Sequence, residues 1–480
     1  MSNAFNKTKI VATIGPATRS KESILELIHA GVNVFRLNFS HDVHESHKQV
    51  IDWVKEINAK FGHSIAILQD LQGPKIRIGE VENGAVEIKN GEQLIISNTP
   101  VIGTSERVST TYTNIVKDVK KGDNIMIDDG NLCVKVIDTL ENEIITEVVY
   151  GGMLKSKKGM NLPDTEISES SLTSKDRRDL EFGLEQNVNW VALSFVRNPQ
   201  DILHVKELIK ERGSDAKVVA KIERPEAIKN FDAILEAADG IMVARGDLGV
   251  EIRMEDVPVI QKEIIRKCNQ AAKPVIVATQ MMESMITNPR PTRAEAGDVA
   301  NAVMDGADAV MLSAESAAGK FPIETVQAMV KIITSVERNV ESVYHKEYEY
   351  DPSHDTYTGN LIVESASKMS QALNAKAFVG MTESGFTGFR ISRHRPKSNI
   401  FIFTENPHLA CTLNLAWGVK AFHYTLKDGQ GTLYTFYELS QILKEKGLLN
   451  QGDVFINIAG APIDLHLHVR TNLLKVGVVE

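Results

Sequence analysis

The chain has 480 residues, of which 42% are hydrophobic and 24% are charged, and its formal net charge is −9. One compact core rarely extends over such a length, so about two to four domains are predicted. The acidic balance argues against a nucleic-acid-binding protein, since such proteins collect phosphates on a basic face.

The start of the chain, MSNAFNKTKIVATIG, lacks the apolar core of a signal peptide. No later stretch reaches the roughly 18 consecutive apolar residues of a membrane helix. We therefore expect a cytoplasmic protein with no membrane partner.

Cysteine and histidine spacing does not favour a disulfide framework or a zinc site. Cys133, Cys268 and Cys411 lie far apart without CxxC spacing, which predicts reduced, buried thiols. The three histidines of HDVHESH, residues 41–47, have helical spacing, but nothing in this segment completes a tetrahedral metal site. An exposed first helical turn is the favoured interpretation.

Short apolar runs rich in β-formers alternate with amphipathic segments, which is the pattern of parallel βα units in an α/β protein. Residues 23–30 and 199–212, for example, carry helical apolar stripes. Eight runs predict a closed (β/α)8, or TIM, barrel. The alternative is an open doubly wound sheet, but no GxGxxG follows the first strand. The runs are KIVATIG ending near Gly15, VNVFRLN near Asn38, SIAILQD near Asp70, WVALSFV near Val196, KVVAKIE near Glu223, GIMVARG near Gly246, PVIVATQ near Gln280 and DAVMLSAE near Glu315.

Two further regions have a different texture. Between the third and fourth runs, segments such as EQLIISN and CVKVIDT alternate apolar and polar residues and are broken by Gly, Asn and Asp, which predicts a small antiparallel β-barrel domain inserted at the barrel mouth. After a polar join, βα units resume with the strand-like runs KAFVGMT, SNIFIFT, VKAFHYT and GDVFINIAG. We predict a barrel domain over 1–72 and 165–342, an inserted domain over 73–164 and a C-terminal α/β domain over 343–480.

The predicted barrel strands end in polar residues, and the working groups of such barrels lie at these ends. Lys221 and Glu223 are two residues apart, so both side chains can enter one mouth. Glu223 and Asp247 suit Mg²⁺, which prefers hard oxygen ligands and retains waters or substrate phosphates. A salt bridge on the rim explains any single one of these residues, but many charges aimed at one mouth need a shared ligand or metal. The full set is Arg36, Asn38, Ser40, Asp70, Lys75, Arg77, Lys221, Glu223, Arg245, Asp247, Thr279, Gln280, Ser313 and Glu315.

This set favours phosphoryl transfer, which needs cations around a loose transition state and little covalent help. Arg36, Arg77, Lys221 and Mg²⁺ would supply the positive charge. The ARGDLG turn can present backbone amides to a small carboxylate. Thr279 with Ser313 could hold a water or relay that delivers a proton.

Several long motifs resemble those of the pyruvate kinase family, in the family's order and over nearly the whole chain. They include TKIVATIGPAT, VFRLNFSH, LQDLQGPKIR, AKIERPEAI, GIMVARGDLGVE and NPRPTRAEAGDVANAV. The resemblance implies a catalytic barrel, a mobile β lid, a C-terminal domain for regulation or oligomerisation, and a homotetramer. The implied reaction transfers a phosphoryl group from phosphoenolpyruvate to ADP, giving ATP and pyruvate, with Mg²⁺ or Mn²⁺ as cofactor.

The resemblance also implies a role for individual residues. Lys221 resembles the lysine that bridges the phosphoryl group and stabilises the enolate, and Arg36 resembles the phosphate-binding arginine. Glu223 and Asp247 look like the metal ligands, and Thr279 is similar to the substrate and relay threonine. The turn of Ala244, Arg245, Gly246 and Asp247 resembles the substrate carboxylate site, and Asn38, His41, Arg77 and Lys158 resemble nucleotide-binding groups.

Two departures from the family pattern stand out. Many members carry Glu where this chain has Lys75, and they need a K⁺ ion held by residues matching Asn38, Ser40, Asp70 and the Leu71 carbonyl. Because an ammonium group can replace K⁺ electrostatically, we expect a K⁺-independent enzyme, and Gln72 and Ile78 accompany Lys75 as in such members.

The second departure concerns regulation. Residues 382–388, TESGFTG, resemble a loop that cradles a sugar-phosphate effector, and its amides suit phosphate. The following effector loop is replaced by Leu465, His466, Leu467 and His468, so activation by fructose bisphosphate is not expected. Binding of a different sugar-phosphate or of a nucleotide effector in the C-terminal domain stays an open alternative.

Two other functions compete. Another barrel enzyme acting on phosphoenolpyruvate or a keto acid would not explain the insertion or Arg77 and Lys158. A catalytically inactive regulator would be expected to lose Lys221, Arg36 or a metal ligand, and all are present.

Overall fold

The computed structural model of the chain describes residues 6–427, 431–460 and 471–480. Eight parallel strands close into a barrel, which confirms the predicted TIM barrel. Of the helices within these ranges, none contains a stretch long and apolar enough to cross a bilayer.

The first barrel segment contains three strands and two helices. Ser20 caps the first helix by accepting a hydrogen bond from the Ser23 amide, and Ile24, Leu27 and Ile28 form its buried stripe. The elements are β1 (Lys9–Thr13), α1 (Lys21–Ala30), β2 (Val34–Asn38), α2 (His44–Phe61) and β3 (Ala66–Asp70).

A β-rich insertion, called the lid below, follows β3 and has its own apolar core. Its elements are β4 (Ala85–Ile88), β5 (Gln93–Ser97), β6 (Arg107–Ser109), α3 (Ile115–Asp118), β7 (Asn124–Ile127), β8 (Leu132–Thr139), β9 (Glu143–Tyr150), β10 (Gly152–Lys155) and β11 (Met160–Asn161). The strands form a six-stranded and a two-stranded sheet, and β5 pairs with β6 in parallel. This differs from the predicted single antiparallel barrel, because apolar alternation reveals the pleat but not strand direction or closure.

The second barrel segment supplies the other five strands. They are β12 (Trp190–Leu193), β13 (Lys217–Ile222), β14 (Gly240–Ala244), β15 (Val275–Ala278) and β16 (Ala309–Leu312). Each ends one to three residues before its predicted end. Lys221 stays within β13, Glu223, Thr279 and Ser313 directly follow their strands, and Arg245, Asp247 and Glu315 lie in short helices after the strands. The helices are α4 (Ser174–Glu185), α5 (Pro199–Glu211), α6 (Pro225–Lys229), α7 (Phe231–Ala237), α8 (Arg245–Glu251), α9 (Val257–Ala271), α10 (Arg293–Asp305), α11 (Ala314–Ala317) and α12 (Pro322–Asn339).

The C-terminal part contains a five-stranded sheet with helices packed against it. Its elements are α13 (Tyr357–Ala372), β17 (Ala377–Met381), α14 (Phe386–Arg393), β18 (Asn399–Thr404), α15 (Pro407–Thr412), β19 (Val419–His423), α16 (Thr432–Glu445), β20 (Val454–Ala459) and β21 (Leu473–Val478). The sequence predicts all of its strands except β21, which lies antiparallel to β20 at the edge of the sheet.

The C-terminal part covers the amino-terminal end of the barrel. The indole of Trp190, which is buried inside the barrel, donates a hydrogen bond to the Thr412 carbonyl at 3.1 Å. Arg395, 1% exposed, lies 3.2 Å from the carboxylate of Asp308. These contacts close one end of the barrel, so the opposite end, next to the lid, is the open mouth.

Gly73, where the chain enters the lid, has φ +67° and no space for a side chain. A Cβ there would lie 2.7 Å from the Phe195 ring, whereas Gly62, with φ +65°, has open space. We expect Gly62→Ala to lower the free energy of unfolding by about 1 kcal/mol through backbone strain alone. Gly73→Ala adds overpacking and should cost about 2–4 kcal/mol. Urea unfolding measures both, and equal losses would contradict the steric argument.

Candidate active site at the barrel mouth

Four charged side chains from three strands meet at the barrel mouth. Asp70 is the last residue of β3, and its carboxylate forms ion pairs with two cations, Arg36 Nε at 2.6 Å and Lys221 Nζ at 3.2 Å. Lys221 also lies 2.8 Å from Glu223 Oε1. The structure therefore brings together four of the residues that the sequence places at the strand ends.

Burial makes these charges interdependent. Asp70 and Glu223 are almost completely buried, and the Lys221 side chain is 12% exposed. Burial alone would neutralise Asp70, but Lys221 and Arg36 outweigh it and hold the pKa of Asp70 below its usual value. Burial likewise opposes the charge on Lys221, yet Asp70 and Glu223 raise its pKa, so it stays an ammonium group.

Ser194 is a member of this cluster that sequence reasoning missed. Its hydroxyl accepts a hydrogen bond from Lys221 Nζ at 2.7 Å and donates one to the Leu71 carbonyl at 2.7 Å. The residue follows the last position of β12, and that location was the only available signal. Ser194 thus connects Lys221 to the segment predicted to surround a monovalent cation.

Glu223 and Asp247 have the chemistry of a divalent-cation site. Burial first, and then the nearby Asp247 charge, raise the pKa of Glu223 despite the opposing effect of Lys221. The Asp247 side chain makes no hydrogen bond or ion pair with the residues that the structure describes. Mg²⁺ or Mn²⁺ would relieve the repulsion between the two carboxylates while keeping open positions for substrate oxygens. These residues therefore fit such an ion, although no group of three or more potential ligands occurs in the described ranges.

The turn after β14 packs against the residue that follows β15. The Gly246 amide donates to the Thr279 hydroxyl at 2.7 Å, and Arg245 donates to the Thr279 carbonyl at 2.7 Å. Thr279 has φ +68°, an uncommon conformation for a β-branched residue and one that costs about 1–3 kcal/mol. The Gly246 amide predicted to face a substrate carboxylate is thus engaged by Thr279.

Ser313 and Glu315 lie beside this turn, after β16. The Ser313 amide donates to Glu315 Oε2 at 2.7 Å, and the Met282 amide donates to Glu315 Oε1 at 3.2 Å. Glu315 thus fixes the two loops that carry Ser313 and Thr279. Ala244, the last residue of β14, is buried behind the same turn.

The predicted nucleotide-binding residues are more scattered. Asn38 accepts a hydrogen bond from the Ser40 amide, and His41 is exposed in the next loop. In the lid, Arg77 donates to the Lys157 carbonyl at 3.1 Å, and Lys158 pairs with Asp128 at 2.6 Å. The structure does not bring these two lid residues into contact with Lys221 or Glu223.

Lys75 lines a cleft between the lid and the barrel, together with Phe195, Asn161 and Asp247. No hydrogen bond or ion pair links its side chain to a residue in the described ranges. The structure therefore does not link Lys75 by such a contact to the residues predicted to surround a monovalent cation.

The predicted effector region, residues 382–388, lies at the start of α14. The Gly385 amide donates to the Thr382 hydroxyl at 2.9 Å, which closes a tight turn. Leu465, His466, Leu467 and His468 lie outside the described residues.

Comparisons with known proteins agree with this architecture. Family models described as "Pyruvate kinase, barrel domain" and "Pyruvate kinase, alpha/beta domain" match residues 5–326 and 360–477. The chain belongs to the pyruvate kinase family. It is 45% identical to Pyruvate kinase 2 of Synechocystis sp. over 99% of this chain and 79% of the relative. It is 44% identical to a pyruvate kinase of Geobacillus stearothermophilus over 99% and 80%.

A solved structure of a family member shows the same fold. The pyruvate kinase of Cryptosporidium parvum superposes with a TM-score of 0.91 at 37% sequence identity, covering 99% of this chain and 96% of that chain.

Asp70 balances two cations at the barrel mouth of this chain, so its charge should matter to folding even without substrate. We expect Asp70→Asn to lower the free energy of unfolding by about 3 kcal/mol, because it leaves buried positive charge uncompensated. The matched control is Asp52→Asn, which breaks an exposed pair with Lys48 and should cost under about 0.5 kcal/mol. Chemical denaturation of the ligand-free proteins tests this, and equal effects would contradict it.

Proposed function

We propose that this chain catalyses the pyruvate kinase reaction, in which a divalent cation supports phosphoryl transfer from phosphoenolpyruvate to ADP. The single observation that carries the proposal is the buried cluster of Arg36, Asp70, Lys221 and Glu223 at the barrel mouth. Curated relatives that are 43–45% identical over nearly the full chain are named pyruvate kinases, which supports the same activity.

Lys221 and Arg36 provide the positive charge that the transferred group needs. Asp70 holds both cations in fixed positions, so they require little reorganisation as negative charge spreads over the phosphoryl oxygens. Glu223 and Asp247 hold the divalent ion, which when bound neutralises charge on the phosphoryl oxygens. A terminal oxygen of ADP attacks phosphorus, the bond from phosphorus to the enol oxygen breaks, and an enolate remains.

The enolate then takes a proton at carbon to give pyruvate. Lys221 stabilises the enolate oxygen, and Thr279 with Ser313 holds the water or relay that delivers the proton. The turn of Ala244, Arg245, Gly246 and Asp247 orients the substrate carboxylate. The hydrogen bond from Gly246 to Thr279 fixes this turn relative to the proton relay, and it also occupies the Gly246 amide, so other groups of the turn bind the carboxylate.

The nucleotide occupies the space between the barrel and the lid. Asn38 and His41 approach it from the barrel, and Arg77 and Lys158 approach it from the lid. Lys158 is paired with Asp128 within the lid, so it must exchange this carboxylate for a phosphate when the nucleotide binds.

We further propose the catalytic barrel over 1–72 and 165–342, the lid over 73–164 and the C-terminal domain over 343–480. Each of these three parts has its own apolar core, which supports the division, and Trp417 of the C-terminal part packs into the barrel core. A homotetramer, a cytoplasmic location and an effector near 382–388 stay predictions. Tight equilibrium binding of fructose bisphosphate would contradict the expectation that it is not the effector.

Lys221→Met tests the proposed reaction. We expect pyruvate formation from phosphoenolpyruvate and ADP to fall by about 10³-fold, since a preorganised cation is lost from the transition state. Lys210→Met, an exposed substitution on α5, should change the rate less than about twofold. Removing divalent ions with EDTA should abolish activity of the unmodified chain, and adding Mg²⁺ should restore it.

A coupled assay for pyruvate measures these rates, and circular dichroism checks that each variant folds. Product formation indifferent to Lys221 would overturn the proposed mechanism. A folded, unmodified chain without activity would favour a metabolite-binding regulator or another barrel enzyme.

We propose that the reaction does not require K⁺, because Lys75 supplies a positive charge in its place. Its ammonium group supplies positive charge beside the cleft that contains Asp247. In tetramethylammonium buffer we expect K⁺ to change the rate of the unmodified chain less than about twofold, and that of Lys75→Glu more than about tenfold, because the carboxylate needs a counterion. The same coupled assay measures both, and strong K⁺ activation of the unmodified chain would disprove the proposal.

A further inference from the structure

The chain returns from the lid to the barrel beside a buried ion pair. Arg224 and Glu251 are 2% and 4% exposed, and Arg224 donates to Glu251 Oε2 at 2.9 Å. A second carboxylate, that of Glu226, lies 3.2 Å from the same guanidinium group. Neither Arg224 nor Glu251 has a part in the proposed reaction.

Both members of the pair contact the returning segment of the lid, residues 160–165. Arg224 donates to the carbonyl of Thr165 at 3.0 Å and more weakly to that of Leu162 at 3.4 Å. Asn161 donates from its side-chain amide to Glu251 Oε1 at 2.7 Å. Because Asn161 belongs to β11, which pairs with β7, this contact reaches the main sheet of the lid.

Each member of the pair lies close in the chain to one of the two proposed metal-binding carboxylates. Arg224 directly follows Glu223 in the chain. Glu251 is the last residue of α8 and lies one helical turn after Asp247, which is on the same short helix. One ion pair therefore connects the lid to the two elements that carry Glu223 and Asp247.

Stability alone gives no reason for this arrangement. Burying two charges costs solvation that their attraction does not always recover, and apolar residues of similar size are often as stable. Charged hydrogen bonds are directional, however, and fix the geometry of the groups they join. At this junction they fix the returning segment of the lid relative to the carboxylates.

We propose that Arg224 and Glu251 are positioning residues that hold the lid in register with the carboxylates of Glu223 and Asp247. This inference rests on the proposed function, in which the lid binds the nucleotide and the barrel binds the small acid. Loss of the pair loosens the lid, so it weakens use of ADP more than use of phosphoenolpyruvate.

The test uses Glu251→Gln and Asn161→Ala in the full chain. The second variant removes only the hydrogen bond from Asn161 to Glu251 and leaves the ion pair and the bonds of Arg224 in place. We expect KM for ADP to rise at least about fivefold and kcat to fall about tenfold in Glu251→Gln, with KM for phosphoenolpyruvate changed less than about twofold. Asn161→Ala should change the same constants in the same direction by smaller factors.

The matched control is Glu255→Gln, which alters an exposed glutamate that pairs with Arg253 one turn further along the chain. It should leave all three constants within about twofold of the unmodified chain. Hydrogen exchange of the ligand-free proteins supplies a readout that does not depend on activity. Amides in residues 160–167 should exchange about tenfold faster in Glu251→Gln than in the control.

Faster exchange together with a selective loss of ADP use supports the proposal. Equal changes in both KM values, or unchanged exchange at 160–167, would overturn it. An unmodified chain without pyruvate kinase activity would refute the proposed function separately, and in that case the exchange data alone would decide whether the pair holds the lid.

Discussion

The site depends on the ion pairs that the buried ammonium group of Lys221 makes with its neighbouring carboxylates. This group lies between two buried carboxylates, Asp70 and Glu223, and is also bonded to Ser194. Burying either carboxylate would be unfavourable without a nearby cation, and burying the Lys221 ammonium group would be unfavourable without the two carboxylates. The cluster is therefore stable as a unit, and this unit places fixed charge at the open end of a rigid barrel.

The C-terminal part and the lid lie at opposite ends of the barrel, and the charged cluster lies at the end next to the lid. Among the described residues, the C-terminal part closes the opposite end through Trp190 and Arg395, which leaves the lid side as the open end. The lid is joined to the barrel by two crossings. The outgoing one turns at Gly73 against Phe195, and the returning one is bonded to Arg224 and Glu251.

Sequence patterns predicted much of this organisation. Apolar runs located every barrel strand, because strands buried on both faces are continuously apolar. The location of polar residues at strand ends also identified Arg36, Asp70, Lys221 and Glu223 before their contacts were known. Two predictions failed. The alternation of apolar and polar residues does not reveal strand direction, and β5 and β6 proved to be parallel. The strand β21 was not predicted, because its mixed composition is that of an exposed edge strand.

The sequence by itself determined the TIM barrel and most of the candidate site, because periodicity and strand-end chemistry are local properties, and its long motifs carried the resemblance to the family. Only the tertiary structure revealed the contact of Ser194 with Lys221 and the contacts of Arg224 and Glu251 at the lid, since each depends on residues far apart in the chain. It also showed that Gly246 is engaged by Thr279 and that Lys158 is paired with Asp128. These pairings are decided by how strands and loops pack together, which no local pattern encodes.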